Sequence, residues 1–276
     1  MRALLTTVVY SMAIVFKQLM NFSKKSIFMN QMNSSIHENA GIIIGLCTLI
    51  FFTISLNTHA EEYYLEENFD NMNSWEALKF KKIKQYTDYS IIKINPNQSV
   101  LKIVSKNSAS AIIFKKKYDV AKWPVIEWRW KVENVLENGD ATKKSGDDYP
   151  VRIYILFEYN PEKSGFFEKA KFGAAKLLYG KYPPFAALNY IWANQNHSQK
   201  IIPNAYTSKA MMILSDFGEK HVGEWRAHRV NVVEDYKNVF RESPPSKASL
   251  AIMGDSDNTG SAATAYIDYI RVIQVK

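Results

Sequence analysis

Val125-Ile126-Glu127-Trp128-Arg129-Trp130-Lys131-Val132 alternates strictly, with Ile126, Trp128, Trp130 and Val132 on one side and Glu127, Arg129 and Lys131 on the other. Period-two alternation is the mark of a strand with one buried face. The same signature, rich in β-branched and aromatic residues, recurs upstream at Tyr63–Phe69, Ala77–Ile83, Tyr89–Ile94, Val100–Ser105 and Ala109–Lys115. Downstream it returns at Val151–Tyr159, Leu188–Ala193, Lys209–Leu214, Glu224–Val230, Ser249–Met253 and Ala265–Val275. Turn residues separate the stretches, as at Asn95-Pro96-Asn97-Gln98, Asn138-Gly139-Asp140 and Ser145-Gly146-Asp147-Asp148. Helical spacing is confined to Phe166–Leu178 and to Val232–Phe240. Many strands with helices only in insertions predict a mainly β chain: an antiparallel β-sandwich of jelly-roll type, like a carbohydrate-binding module or a concanavalin-like sandwich. A doubly wound α/β fold needs a helix between most strands, and those are absent from the pattern.

Alternation also assigns faces. In Val151–Tyr159, Val151, Ile153, Ile155 and Phe157 share a side opposite Arg152, Tyr154 and Glu158. If this strand neighbours Val125–Val132, one sheet surface carries Arg129, Lys131, Arg152, Tyr154 and Glu158. Such a surface is either a concave ligand face or a solvated face laced with ion pairs.

The apolar run Gly41–Ala60, followed by Glu61-Glu62, reads as the core of a secretory signal ending at Thr58-His59-Ala60. It begins late, and an earlier apolar run spans residues 3–16, so a start at Met29 or Met32 is one explanation. The rival is a membrane anchor over residues 41–57. Its apolar stretch Ile42–Leu56 is 15 residues long, against the roughly 20 a spanning helix needs. The organisation expected is a doubtful leader at 1–40, a signal or anchor at 41–60 and one sandwich domain at 61–276. The expected location is periplasmic or secreted.

Residues 1–60 hold four basic residues and one acid, so the 35 basic and 27 acidic residues of the chain fall to 31 and 26 beyond them, a net of +5. Nucleic-acid binders concentrate their charge on one helix or stripe. Here the densest patch, Lys115-Lys116-Lys117, is a short solvated strand end, so no nucleic-acid partner is expected. The single cysteine, Cys47, lies in the export segment, which excludes disulfides, thiol nucleophiles and thiolate metal sites from the domain beyond it. His197, His221 and His228 have no metal-ligand spacing, and no G-x-S-x-G elbow accompanies them.

Gly254-Asp255-Ser256-Asp257-Asn258-Thr259-Gly260 follows an apolar strand and imitates half of an EF-hand loop. Its twelfth position is Tyr266 where a bidentate glutamate is required, so a true EF-hand is excluded. The carboxylates then either bind calcium in another way or cap backbone amides. Asp147 and Asp148 are adjacent acids whose pKa values can split for acid–base work, although neighbours on an extended segment point apart. Leu188-Asn189-Tyr190-Ile191-Trp192-Ala193-Asn194 alternates rings and amides. A ring for the apolar face of a sugar and amides for its hydroxyls is what glycan recognition uses. Packing of Tyr190 and Trp192 inside the sandwich is the alternative. Many exported jelly-roll carbohydrate-binding modules hold a structural calcium with acids on their paired first and last strands, and Asp70 and Asp268 stand at such positions.

Several blocks together resemble one family. They are Phe69-Asp70 with Trp75-Glu76, SKNSAS (105–110), EWRWKV (127–132), KSGDDYPVR (144–152), LNYIWAN (188–194), RVNVVEDYKNVF (229–240) and MGDSDNTG (253–260). The set looks like the bacterial exported family catalogued as domain of unknown function 3047, over nearly all of residues 65–272. The resemblance implies an exported β-sandwich of bacterial envelopes with no assigned activity. Residues 1–40 match nothing in that pattern.

The motifs are spelled in polar residues, which a purely structural core would not require. The reading preferred is a non-catalytic binder of an envelope glycan, with an anionic one suiting the basic residues. Its candidate ligand residues are Glu127, Arg129, Lys131, Asp147, Asp148, Arg152, Trp192, Asn194, Asp235, Asp255 and Asp257. Arg129, Lys131 and Arg152 would hold anionic groups, and Trp192 would stack. One rival is a glycan lyase or hydrolase using Asp147, Asp148, Asp235 or Asp257 as acid or base; the other is a structural envelope protein that binds proteins. No catalytic residue is assigned and calcium is the one cofactor considered. Membrane contact is expected only through the N-terminal segment if it stays uncleaved.

Overall fold

Trp128 and Trp130 turn inward from their strand and meet Tyr190 and Trp192 of the opposing sheet, with ring centroids 5.2 Å apart for Trp128–Tyr190 and 6.2 Å for Trp130–Trp192. All four side chains are fully buried. This aromatic layer is the centre of a two-sheet β-sandwich of jelly-roll type, in a computed structural model that describes residues 61–179 and 182–274. The leader expected at 1–40 and the signal or anchor expected at 41–60, with Cys47, lie outside the described residues. Among the described residues no helix is long and apolar enough to cross a membrane.

The strands are β1 (Tyr63–Glu67), β2 (Trp75–Leu78), β3 (Asp88–Asn95), β4 (Gln98–Lys106), β5 (Ala109–Phe114), β6 (Tyr118–Asp119), β7 (Val125–Val132), β8 (Arg152–Phe157), β9 (Ala186–Ala193), β10 (Ile201–Asn204), β11 (Thr207–Phe217), β12 (Arg226–Asn231), β13 (Lys247–Asp255) and β14 (Ala262–Ile273). Helix α1 (Phe166–Tyr179) interrupts the chain between β8 and β9, and α2 (Val232–Phe240) follows β12 directly. Asn231 starts α2 by accepting from the amides of Val233 and Glu234. Arg241 ends it in the left-handed conformation, donating its amide to the Lys237 carbonyl.

The first sheet runs β12-β7-β14-β4-β3, with β1 and β4 sharing one edge of the long strand β14. The second runs β10-β11-β9-β8-β13-β5-β2, with the short β6 also on β13. One pair departs from the antiparallel expectation: β9 and β11 are parallel. After β9 the chain lays down β10 at the sheet edge and returns through a hairpin as β11, filling the place between them. β10 itself carries Pro203, which removes a ladder donor and weakens any strand reading of the sequence. An edge strand tolerates it.

β7 and β8 do not neighbour each other, so the shared surface expected from their alternation does not form; they lie in different sheets. Glu127, Arg129 and Lys131 face outward from the first sheet, while Arg152 and Tyr154 face outward from the second. Of the expected strand Ala77–Ile83 only Ala77 and Leu78 pair, at the end of β2, which begins earlier at Trp75. Phe80 and Ile83 leave the ladder and pack with Leu78 and Tyr154 around Ala109, Ala111 and Met253.

Asp216 joins the two sheets at their β11 and β12 edges. A register shift between Leu214 and Asp216 turns its carboxylate inward, where it accepts from Trp130 Nε1 (2.8 Å) and Arg226 Nε (3.2 Å). His228 Nε2 lies 2.6 Å from the same carboxylate. Burial opposes ionisation, but His228, Trp130 and Arg226 together hold the Asp216 carboxyl below the usual range.

Candidate functional site

The outer face of the second sheet is assembled by alternation. With Ile153, Tyr190 and Ile252 turned into the core, Arg152 (β8), Asn189 (β9) and Met253 and Asp255 (β13) point the other way. Met212 of β11 pairs with Asn189 and joins them. These residues are all buried even though they lie on the outside of the sheet. The loop carrying Asp147, Asp148 and Tyr149 covers them, and so does the β10–β11 hairpin, whose Asn204 donates to Asp147 Oδ2 (3.1 Å).

Two glycines allow that close covering. A Cβ on Gly254 would stand 2.8 Å from the Pro150 carbonyl oxygen and 2.7 Å from Ile103, so only glycine lets β13 approach the 147–150 loop. The next residue, Asp255, then donates its amide to the Tyr149 carbonyl (3.0 Å) and accepts the Tyr149 amide on Oδ1 (3.2 Å). A Cβ on Gly139 would overlap the Asn194 side chain. Asn194 buttresses the loop from below, accepting from the Leu136 amide (2.8 Å) and donating to the Asp148 carbonyl (2.6 Å).

Arg152 is the centre of the cluster. It pairs with Asp255 through Nη2, and its guanidinium lies 4.8 Å from the Tyr149 ring and 5.5 Å from the Tyr154 ring. Its Nη1 is 3.6 Å from Asp147 Oδ1, an ion contact too long for a hydrogen bond. Of the ten buried side-chain polar atoms without a hydrogen-bond partner among the described residues, five meet here: Asp147 Oδ1, Tyr149 OH, Arg152 Nε and Nη1, and Asn189 Oδ1. Buried polar groups are normally satisfied, and each exception carries a desolvation cost. Five of the ten fall in this one cluster, and two of them, Arg152 Nη1 and Asp147 Oδ1, face each other.

Asp147 and Asp148 point apart as expected. Asp148 accepts from the Asn258 side chain (3.0 Å) and from the Thr259 amide (2.6 Å), so the amides of the 255–260 loop are capped from another loop and not by its own acids. Tyr206, at the tip of the β10–β11 hairpin, donates at 3.3 Å to both the Lys144 carbonyl and Asn258 Oδ1. Exposed Tyr206, exposed Asn258 and half-buried Asp257 and Tyr154 thus form the rim above a buried floor.

Carboxylate oxygens of Asp148, Asp255 and Asp257 lie within 4.8 Å of one another. Among the described residues these are the groups placed to share a hard cation, which oxygen ligands suit. At the pair expected to hold calcium, Asp268, at a bulge in β14, accepts from Gln98 (2.6 Å) and Arg129 (3.0 Å), and Asp70 is exposed.

Four acids face one arginine, and the titration follows from that. Burial pushes Asp255 well above the usual carboxylate range; Arg152 pulls it back, while Asp148 and Asp147 add to the rise. Asp257 is raised by burial and by Asp148. Burial pulls the Arg152 guanidinium down, but its anionic partners, Asp255 foremost, raise it above its ordinary value. Burial lifts the Tyr154 hydroxyl to about 12.

A carboxyl whose folded pKa exceeds its unfolded value stabilises the fold fully below that unfolded value, and the stabilisation is lost as pH rises through the folded pKa. Asp216 and Asp140 are lowered and act in the opposite sense, losing their contribution as pH falls below their unfolded values. Stability is therefore expected to rise on acidification from neutrality toward about pH 5, above the unfolded carboxylate values near 4, and to fall below that window. Urea midpoints across pH, with D257N flattening the rise, check this; a midpoint that only falls on acidification contradicts it.

The remaining sequence candidates lie elsewhere. Glu127 accepts from Arg229 and Arg271 on the first sheet, and Arg129 pairs with Asp268 over the Trp225 ring. Lys131 sits between Glu133, Trp225 and Tyr266. That surface is a solvated face laced with ion pairs, and it cannot share a ligand with Arg152. Trp192 cannot stack on a sugar: it is fully buried, with Nε1 donating to the Gly218 carbonyl (3.2 Å). Asp235 accepts from the Tyr190 hydroxyl (2.7 Å) on α2 and takes no part in the cluster. Tyr149, Tyr206 and Asn204 were missed as site residues. Tyr149 was visible inside the GDDYPVR block; Asn204 and Tyr206 were hidden by a hairpin that Pro203 disguises.

The family model described as "Protein of unknown function (DUF3047)" matches residues 73–271. No curated protein matches the chain. The family 11 carbohydrate-binding module of the cellulosomal cellulase Lic26A-Cel5E of Clostridium thermocellum is similar at 10% identity, over 78% of this chain and 95% of its own, with a TM-score of 0.38. The module from that organism in complex with a β-1,3-1,4-mixed-linked tetrasaccharide stands at 11% identity, 78% and 97% coverage and a TM-score of 0.37. Endoglucanase 3 of family GH12 from Trichoderma harzianum stands at 10% identity, 78% and 97% coverage and a TM-score of 0.41. At these values the likeness is one of sandwich architecture and carries nothing about ligands.

Proposed function

We propose that this chain, which belongs to the family described as protein of unknown function DUF3047, is an exported sandwich that binds a glycan on the outer face of its second sheet without turning it over. The rim of exposed Tyr206 and Asn258 with half-buried Asp257 and Tyr154, set over the polar Arg152 cluster, carries this reading. It offers donors and acceptors at a fixed spacing, flanked by tyrosine rings, which is what a polyhydroxylated ring with an apolar face requires. Four acids around one arginine favour a neutral or amine-bearing glycan over the anionic one that Arg129 and Lys131 had suggested. The engagement of Asp148 and Asp255, whose oxygens are held by Asn258, Thr259, Tyr149 and Arg152, supports binding without turnover.

The raised carboxyl of Asp257 beside Asp148 favours a second reading, a glycan hydrolase or lyase with these two as acid and base. A glycan-array screen of the chain, with calcium and with a chelator, tests the first. Retention of a glycan, lost in Y206A and N258A while their melting points stay near the parent's, is the expected result. Calcium dependence of that retention would assign Asp148, Asp255 and Asp257 to a cation. Release of new reducing or unsaturated ends, abolished by D257N, would establish the second reading instead. No retention of any polysaccharide together with no release of new ends overturns both. Export rests on the Gly41–Ala60 segment; recovery of chains beginning near Glu61 from the periplasm or medium is expected, and chains retained by residues 41–57 in the membrane fraction would replace it with anchoring.

A further inference from the structure

Helix α1 presents an apolar face to solvent. Its underside is held by Phe172, whose ring stacks on Tyr159 at 3.9 Å with an interplanar angle of 5°, and by Phe185 beyond it. On the opposite side Phe166, Phe167 and Leu177 are 81%, 88% and 91% exposed. Phe166, Ala170, Ala174 and Leu177 recur at helical spacing and are all exposed, so the stripe is continuous along the helix. A soluble helix normally turns such a stripe to the core.

Lysines surround it. Lys163, Lys169, Lys171 and Lys176 are exposed, against two acids, Glu162 and Glu168, in residues 161–179, so the segment carries +2. Glu168 belongs to the packed underside, with Phe172 one turn further on. This charge decides between occupants. A second copy of the helix would bring lysines against lysines, whereas an anionic lipid surface neutralises them while its acyl boundary receives the rings. Lysine stems also lie along apolar surface with their ammonium groups in the headgroup layer.

We propose that α1 is a membrane-surface element that inserts Phe166, Phe167 and Leu177 into the headgroup boundary of a leaflet rich in anionic phospholipid, with Lys163, Lys169, Lys171 and Lys176 on the phosphates. This contact uses no residue of the glycan site.

Hydrogen exchange of the full chain, read on peptides covering residues 166–179, tests it. Because the readout is local, capture of vesicles by the Gly41–Ala60 segment does not register. Vesicles of phosphatidylcholine with phosphatidylglycerol should slow exchange in this helix severalfold; phosphatidylcholine alone should do so less, and high salt should reverse the effect. The triple variant F166S/F167S/L177S should lose that protection while exchange elsewhere in the sandwich is unchanged. Three outcomes overturn the proposal: no vesicle effect on these peptides, an equal effect in the triple variant, or protection that appears without lipid as protein concentration rises, which assigns the stripe to a second copy.

Discussion

Replacing Arg152 with alanine should cost about 3–5 kcal/mol of folding stability, the range for removing one partner of a buried ion pair. The arginine is 3% exposed and is the single cation among Asp147, Asp148, Asp255 and Asp257. Without it Asp255 stays buried beside Asp148 with no counter-charge and must take up a proton or draw in water. Urea unfolding of R152A against the parent measures the loss. Combining Arg152→Met with Asp255→Leu should recover much of it, because an apolar pair of similar volume often replaces a buried ion pair at little cost. A loss below about 1 kcal/mol in R152A would mean that solvent already reaches the cluster, and the five unpartnered atoms would then be ordinary hydrated groups. The double variant should still fail to retain glycan, which separates stability from binding.

Trp192→Ala should cost a similar 3–5 kcal/mol, for a different reason. The ring is fully buried against Trp130, and its removal leaves a cavity between two sheets whose ladders prevent collapse. Glycan retention by the folded fraction should be unchanged, since Trp192 faces away from Arg152 across the sheet. A variant that melts like the parent but loses the glycan would restore Trp192 as a stacking residue and refute the placement of the site. Denaturant midpoints and retention assays on one preparation give both quantities.

The contrast between these residues shows what could be read from the chain. Val125–Val132 and Val232–Phe240 were legible to their end residues, because each carries an unbroken period and a clear stop. Trp128 and Trp130 were correctly turned inward for the same reason. Trp192 follows that rule too, since Leu188, Tyr190 and Trp192 share the parity of the buried face. The amides around it suggested sugar recognition, but both are buried: Asn194 bonds to the Leu136 amide and the Asp148 carbonyl, and Asn189 lies against Met212 of the neighbouring strand. β10 was not legible, since four residues with a proline in an edge strand carry too little pattern.

For the site, the GDDYPVR and GDSDNTG blocks were singled out before their contact was known, and they do meet, around Arg152 and Asp255. Arg129 and Lys131 did not join them. Their parity was right, but parity states only which side of its own strand a residue takes.

The sequence by itself therefore determined the fold class, the inward residues of most strands and the polar blocks that form the cluster. These follow from local backbone geometry, where side chains alternate along a strand and repeat every 3.6 residues along a helix. Only the tertiary structure decided that β7 and β8 belong to different sheets, that β9 and β11 run parallel, and that Tyr149, Asn204 and Tyr206 join the polar cluster and its rim. Pairing and covering depend on contacts between residues far apart in the chain, settled by which arrangement buries every apolar face at once, and no period within one segment encodes that choice.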